Sequence, residues 1–343
     1  MCTEELAKSI KIKVKKFALN SLLSIAGYDI STGANDVIIV KQKDGSIKAS
    51  PIQVNIQVSS QMRNAVSSTK EGVMSKIQIG ENNLIECRYI QSSDLEHDET
   101  VLNFDISENL QHLQTLDIQD VNFGNDINQS YFIVDELNIR IPFSVYVFGQ
   151  DDKIIVSDID GTITKSDTRG FFGGALGCKV HHENVDEFLR GLNENGYKII
   201  YLTARNLRYM SYTKNYLFEK IAENSVDGVG VPKYPVLCIP QEFAVAALAD
   251  ESQAVLGKSS SLNNVLSLFE NPSDMFVGAY GNKNSDAEAY KNVGISLNKT
   301  FIINKQSEIT NVLSDEKTTF QIQIENLNNL YPNAEMLNIP INM

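Results

Sequence analysis

The sequence predicts two parts of different class: an all-β region in front and a doubly wound parallel α/β sheet behind it. Three observations carry this. A chain of 343 residues suits about two domains. Residues 30–90 and 131–148 hold short apolar–polar alternations broken by turns, which is the pattern of antiparallel strands. From about residue 152 onward, apolar strands alternate with helical patterns, which gives a parallel sheet with helices on both faces.

Residues 1–27 form a basic segment. Lys8, Lys11, Lys13, Lys15 and Lys16 occur there with no acid among residues 8–16. On a helix, Leu6, Ile10, Val14, Phe17 and Ile25 share one stripe. Such a helix suits an anionic membrane surface, with Lys8, Ile10, Lys11, Val14, Lys15 and Phe17 as the contact residues. A first helix packed on the protein's own core, or a strand over Ile10–Lys15, fits the same residues.

Residues 28–150 read as a β-sandwich. Its strands are expected at Val37–Val40, Ile52–Val58, Val73–Ile79 and Leu84–Tyr89, with a turn at Lys43-Asp44-Gly45-Ser46. Residues 91–130 are acidic and polar and read as a connector with a short strand at Val101–Ile106. Residues 131–148 close the sandwich. The rest, 151–343, is the α/β domain with a C-terminal tail. No long insertion breaks its strand–helix rhythm, so a large cap over the site is not expected.

Composition narrows the function classes. A formal charge of −13 carries no nucleic-acid signature. No run approaches the ~20 apolar residues of a spanning helix, and no apolar signal-peptide core opens the chain. Cys2, Cys87, Cys178 and Cys238 lack metal-type spacing and read as reduced thiols of a cytosolic protein.

The chemistry starts at Lys153-Ile-Ile-Val-Ser-Asp-Ile-Asp-Gly-Thr. An apolar strand runs into two aspartates spaced by one residue. Residues i and i+2 of a strand face the same side, so Asp158 and Asp160 are expected to share one pocket. Carboxylates that close repel unless a cation separates them. A hard divalent ion such as Mg²⁺ removes the conflict. One aspartate can then attack phosphorus while the other shuttles a proton. Gly161 permits a sharp turn away. A plain surface turn or a calcium loop uses the same composition.

Three later stretches complete a set. Lys198-Ile-Ile-Tyr-Leu-Thr ends a second strand in a hydroxyl, Thr203. Lys258 precedes Ser-Ser-Ser-Leu-Asn-Asn, a plausible helix start. A third strand ends in Gly281-Asn282, and Asp286 lies four residues beyond, so Asn282 and Asp286 can share one turn facing the metal. Singly, Lys258 reads as a solvated lysine and Thr203 as a helix cap; as an ordered set they are specific.

This order resembles the haloacid dehalogenase superfamily of phosphotransferases. Asp158-Ile-Asp-Gly-Thr-Ile-Thr-Lys-Ser-Asp167, Asn195-Gly-Tyr-Lys198 and Gly281-Asn-Lys-Asn-Ser-Asp-Ala-Glu-Ala-Tyr-Lys-Asn-Val-Gly294, followed by Phe301-Ile-Ile-Asn-Lys305, look like the catalytic region of the lipins, the Mg²⁺-dependent phosphatidate phosphatases. Residues 33–54, from Gly33-Ala-Asn-Asp to Ser50-Pro-Ile-Gln-Val54, resemble the N-terminal lipin region. The resemblance spans roughly 10–90 and 130–310.

The resemblance implies a haloacid dehalogenase-like domain joined to an immunoglobulin-like β-sandwich built from both ends of the front region. It implies hydrolysis of phosphatidic acid to diacylglycerol at a membrane of the endoplasmic reticulum or nuclear envelope. It makes Asp158 the nucleophile and Asp160 the proton shuttle. Thr203 and Lys258, with Gly161, Thr162 and Ala204, hold phosphate; Asp158, Asp160, Asp286 and Asn282 hold Mg²⁺. The chain departs from many lipins at Thr168–Gly177, where a segment tied to transcriptional co-regulation is replaced. It also lacks the long low-complexity middle of large lipins. A phosphatase for a phosphoprotein or soluble ester, and a non-catalytic lipid-binding protein, are the rival readings. Phe171 and Phe172, just past the aspartates, either shape a lipid entrance or pack under the sheet.

Overall fold

A computed structural model describes residues 32–57, 73–80, 83–90, 101–105, 127–165, 181–247 and 250–337. The basic segment 1–27, Phe171 and Phe172, and the connector apart from 101–105 and its last residues lie outside the described residues.

Among the described residues the front region holds nine strands: β1 Thr32–Ala34, β2 Val37–Lys41, β3 Ile47–Ala49, β4 Gln53–Gln57, β5 Val73–Ile79, β6 Asn83–Ile90, β7 Val101–Asp105, β8 Ile127–Val134 and β9 Ile139–Phe148. They form a three-stranded sheet, β1-β4-β7, and a six-stranded sheet, β3-β2-β9-β8-β5-β6. Val54 and Ile56 of the first sheet share a core with Ile77, Phe132, Phe143 and Val145 of the second. The short strand read inside the connector is β7, which pairs with β4.

Among the described strands of this region, pairing is antiparallel except between β2 and β9, which run parallel from Val37↔Val145 to Val40↔Phe148. A parallel pair needs a long crossover, here the whole intervening region. The Val37-Ile-Ile-Val run also departs from simple alternation for a physical reason. Val37 and Ile39 face the front core, whereas Ile38 and Val40 join the core of the α/β part. Strand β9 does the same with Phe143 and Val145 on one side and Tyr146 and Phe148 on the other. Strands buried on both faces read as continuous apolar runs.

The second sheet holds β10 Ile154–Asp158, β11 Lys198–Thr203, β12 Val236–Cys238, β13 Phe276–Gly281, β14 Thr300–Ile303, β15 Ile309–Asn311 and β16 Lys317–Thr318. Its order is β12-β11-β10-β13-β14-β15-β16. The first five strands are parallel and the last two turn antiparallel. Every residue of β10 is buried. The chain leaves β10 toward β11 and β12, then returns to its other side at β13. That reversal is a switch point, where parallel sheets open a crevice at their carboxyl ends.

Helices cover both faces. Val185–Glu194 buries Phe188, Leu189 and Leu192 on one side, beside Met210–Asn215 and the C-terminal Phe320–Glu325. Tyr280, Phe301, Phe188 and Phe320 pack together there, with the Tyr280 and Phe301 rings stacked at 5.0 Å. Glu251–Leu266 and Asn284–Asn292 cover the other side through Leu262, Val265 and Tyr290.

Candidate active site

Strand β10 ends at Asp158, and the chain turns at Gly161 with φ +85°. The turn is held from within. Ile163 and Thr164 donate backbone N–H groups to the Ile159 carbonyl, and Gly161 N–H donates to Thr164 Oγ1 at 3.0 Å. The Thr162 hydroxyl donates to Asp158 Oδ2 at 3.1 Å. His182 supports the turn from below: Nε2 lies 3.3 Å from the Gly161 carbonyl and Nδ1 lies 2.8 Å from Ser307 Oγ. A carbonyl only accepts, so Nε2 carries the hydrogen and the Ser307 hydroxyl donates to Nδ1. Burial holds the His182 imidazole down at about 4, so the ring is neutral there.

Asp158 and Asp286 converge on one ammonium. Lys258 Nζ lies 2.5 Å from Asp158 Oδ1 and 2.5 Å from Asp286 Oδ1. The three residues are 3%, 4% and 3% exposed for Asp158, Lys258 and Asp286, so their charges must be compensated inside the protein. Burial pushes the Asp158 carboxyl up to about 7, and Lys258 opposes that rise. Burial alone would lower the Lys258 ammonium; the two carboxylates override it and hold it well above its ordinary value.

Asp286 is fixed by its second oxygen. Oδ2 accepts the backbone N–H of Asn282 at 2.9 Å and of Lys283 at 3.0 Å, at the start of helix Asn284–Asn292. Asn282 thus meets Asp286 through its backbone. Gly281 is required by contact, since a Cβ there would sit 2.4 Å from Asp286 Cβ.

Lys258 is not at a helix start. It lies inside Glu251–Leu266, whose N-cap is Asp250 accepting from Ser252 N–H. Asp250 out-competes the serine run as a cap because its carboxylate also meets the helix N-terminal charge.

Asp160 belongs to a second group. The period-two argument stops at Asp158, where the strand ends; Asp160 lies in the turn and faces the end of β11. Thr203 Oγ1 donates to Asp160 Oδ2 at 3.1 Å and accepts Arg205 N–H at 3.1 Å. Arg205 donates Nε to Asp160 Oδ2 at 2.8 Å and Nη2 to Oδ1 at 2.6 Å. Ala204 stands between Thr203 and Arg205 and packs on the core. Each aspartate therefore has its own cation, Lys258 for one and Arg205 for the other. Sequence reasoning missed Arg205, although it directly follows the Leu-Thr-Ala strand end, and it missed His182.

Among the described residues, no group of three or more His, Cys, Asp or Glu side chains could enclose a metal. Mg²⁺ does not need one, because it is commonly held by one or two carboxylates plus waters and substrate phosphate. Two buried carboxylates already drawn to one cation, Asp158 and Asp286, fit that donor set.

The family model LNS2 (Lipin/Ned1/Smp2) matches residues 108–332. The chain is 32% identical over 212 residues to mouse "Phosphatidate phosphatase LPIN3", covering 61% of this chain and 24% of that protein. It is 32% identical over 190 residues to human "Phosphatidate phosphatase LPIN1", 55% of this chain and 21% of that one. It is 33% identical over 195 residues to "Phosphatidic acid phosphohydrolase 1" of Saccharomyces cerevisiae, 53% of this chain and 22% of that one. The matches thus span about a quarter or less of those relatives' lengths. With the family match extending over well more than half of its residues, the chain belongs to the LNS2 (Lipin/Ned1/Smp2) family.

Proposed function

We propose that this protein is a Mg²⁺-dependent phosphatidate phosphatase that converts phosphatidate and water to diacylglycerol and phosphate. The observation that carries the reading is the buried Asp158–Lys258–Asp286 group at the switch point, with Asp160 beside it. The relatives' names supply the substrate.

In this reading the Asp158 carboxylate attacks phosphorus and the P–O bond to the lipid breaks. Asp160 gives its proton to the departing alkoxide. Water then attacks the aspartyl-phosphate, its proton passes to Asp160, and Asp158 is released with phosphate. Lys258 offsets the charge that builds on the phosphoryl oxygens. Thr203, Thr162 and the backbone of Ala204 cradle the phosphate, and Gly161, whose N–H meets Thr164 Oγ1, shapes the turn beneath it. Asp158 and Asp286 would hold Mg²⁺, with the Asp160 carbonyl and Asn282 at its edge; the ion supplies charge compensation for phosphate and nucleophile.

The front region fits an immunoglobulin-like sandwich, a reading supported by the two facing sheets and the parallel β2–β9 closure. No helix among the described residues is long and apolar enough to cross a membrane. In our reading the enzyme is cytoplasmic and docks peripherally on endoplasmic reticulum or nuclear envelope membrane through Lys8, Ile10, Lys11, Val14, Lys15 and Phe17. Phosphate release from phosphatidate vesicles, with Mg²⁺ and with EDTA, tests the function. No release with Mg²⁺, or equal release with EDTA, refutes it. Deleting residues 1–20 should abolish vesicle binding while sparing a soluble phosphate ester.

A further inference from the structure

We propose that Arg205 is a positioning residue for proton transfer at Asp160, an inference that rests on the phosphatase reading above. Asp160 lies beyond the end of β10, in a turn, so neither strand pairing nor a helix orients its carboxylate. Arg205 does. Its guanidinium meets both carboxylate oxygens, at 2.8 and 2.6 Å, in the two-point geometry that fixes a carboxylate plane. The guanidinium is itself fixed. Nη1 donates to Thr213 Oγ1 at 3.1 Å, the backbone N–H is tied to Thr203, and the side chain is 7% exposed.

The arrangement also separates the two oxygens of Asp160. Oδ2 accepts from Thr203 Oγ1 and from Arg205 Nε, which uses its capacity. Oδ1 accepts only Arg205 Nη2 among the described residues. Oδ1 therefore keeps an open lone pair, and through it a proton passes to the leaving alkoxide as the ester P–O bond breaks and returns from the water that attacks the phosphoenzyme. The Asp158–Lys258–Asp286 group is held by its own contacts, to Thr162 and to the N–H groups of Asn282 and Lys283. Nucleophilic attack should survive loss of Arg205, whereas proton transfer should not.

Leaving-group chemistry separates the steps. A p-nitrophenyl ester needs no proton on departure; glycerol phosphate, an alkyl ester, does. Rapid-quench measurement of phosphoenzyme formation in the full chain should show Arg205→Met within about threefold of wild type on the aryl ester. On the alkyl ester it should fall by ~100-fold or more. Hydrolysis of the phosphoenzyme should slow for both. Asp160→Asn should give the same pattern, and the double variant should be no worse than Asp160→Asn alone. Arg205→Lys, which keeps charge but loses the fork, should resemble Arg205→Met and serves if Arg205→Met does not fold. Equal losses on both esters in the variant that folds, additive losses in the double variant, or wild-type rates would overturn the assignment. A wild-type protein that cleaves neither ester nor phosphatidate would instead overturn the phosphatase reading.

Discussion

Asn35 and Cys238, 203 residues apart, exchange the two hydrogen bonds that a neighbouring strand would otherwise supply. The Asn35 side-chain amide donates to the Cys238 carbonyl at 3.1 Å and its oxygen accepts the Cys238 N–H at 2.7 Å. Asp36 extends the pairing: Val236 N–H donates to its carboxylate at 3.0 Å, and so does Ser144 N–H at 2.8 Å. Strand β12 is the edge of the parallel sheet, so the front β region covers an edge that would be open to mispairing. Gly33 permits the approach, since a Cβ there would sit 1.9 Å from the Leu207 carbonyl oxygen. Cys238 pairs with Thr203, so the contact lies one strand from the candidate site.

Replacing these residues should therefore destabilise the α/β part as well as the front region. Asp36 is fully buried and also binds Lys214 Nζ at 2.5 Å. Asp36→Ala strands that ammonium and two N–H groups, a loss of about 3–5 kcal/mol. Asn35→Ala leaves one buried donor and one buried acceptor unmet and should cost roughly 2–4 kcal/mol. Urea unfolding followed by far-ultraviolet circular dichroism measures both. Asp36→Ala within 1 kcal/mol of wild type would mean the edge is covered by something else.

Asp158→Asn should remove turnover by several powers of ten while the chain stays folded. An amide cannot make the attack, yet Lys258 keeps Asp286 as a buried partner. Phosphate release and circular dichroism read the two halves of the prediction. Hydrolysis within about tenfold of wild type would remove Asp158 as nucleophile.

Lys258→Met should behave differently. It leaves Asp158 and Asp286 buried with their shared cation gone, and the cost should be about 3–5 kcal/mol in EDTA. Adding Mg²⁺ should recover part of it, because an ion bound only by the folded state stabilises that state. Thermal unfolding with and without Mg²⁺ tests this. A variant as stable as wild type in EDTA would show that the two carboxylates do not depend on Lys258.

Much of this architecture is legible in the chain. Asp158, Thr203 and Gly281 each end a buried apolar run, and a buried parallel strand announces itself by such a run. Lys258 is legible as a residue but not in place, because the cap that starts its helix is Asp250, eight residues earlier. Arg205 is not legible, since an arginine after a strand looks the same whether it is solvated or clamped on Asp160. Asn35 and Asp36 carry no signal of this role in the sequence; their pairing with β12 is formed across the whole chain and leaves no local pattern. The double burial of β2 is written in Val37–Val40, but which layers it separates is decided only by packing.

His182 sets an acid limit on stability. Burial lowers its folded pKa from 6.5 to about 4, so between those values the unfolded chain binds the extra proton. Unfolding then takes up protons, and stability rises with pH across that window and is lost as pH falls through it. The loss by pH 4 is at most about 3 kcal/mol. His182→Gln keeps a donor for the Gly161 carbonyl and removes the titration, so the slope of stability between pH 4 and 6.5 should flatten. An unchanged slope would assign the acid sensitivity to other groups.

Gly281 lies against the carboxylate residue Asp286. A methyl group at 281 would overlap Asp286 Cβ at 2.4 Å, and Gly281 is the buried last residue of β13. The strand is held by β10 and β14, so Asp286 must give way. Moving it disturbs the N–H groups of Asn282 and Lys283 and the shared Lys258 ammonium together. Gly281→Ala should therefore raise the Mg²⁺ concentration needed for half-maximal turnover, on the order of tenfold, as Asp286→Ala should by removing an anionic oxygen. Asn282→Ala should do less, because its backbone N–H survives the change. The thermal stabilisation by Mg²⁺, read without substrate, should shrink in the same order. Gly281→Ala added to Asp286→Ala should change the Mg²⁺ response little further, since the residue it displaces is already gone. A full Mg²⁺ response in Gly281→Ala, with Asp286→Ala impaired, would show that the end of β13 yields instead.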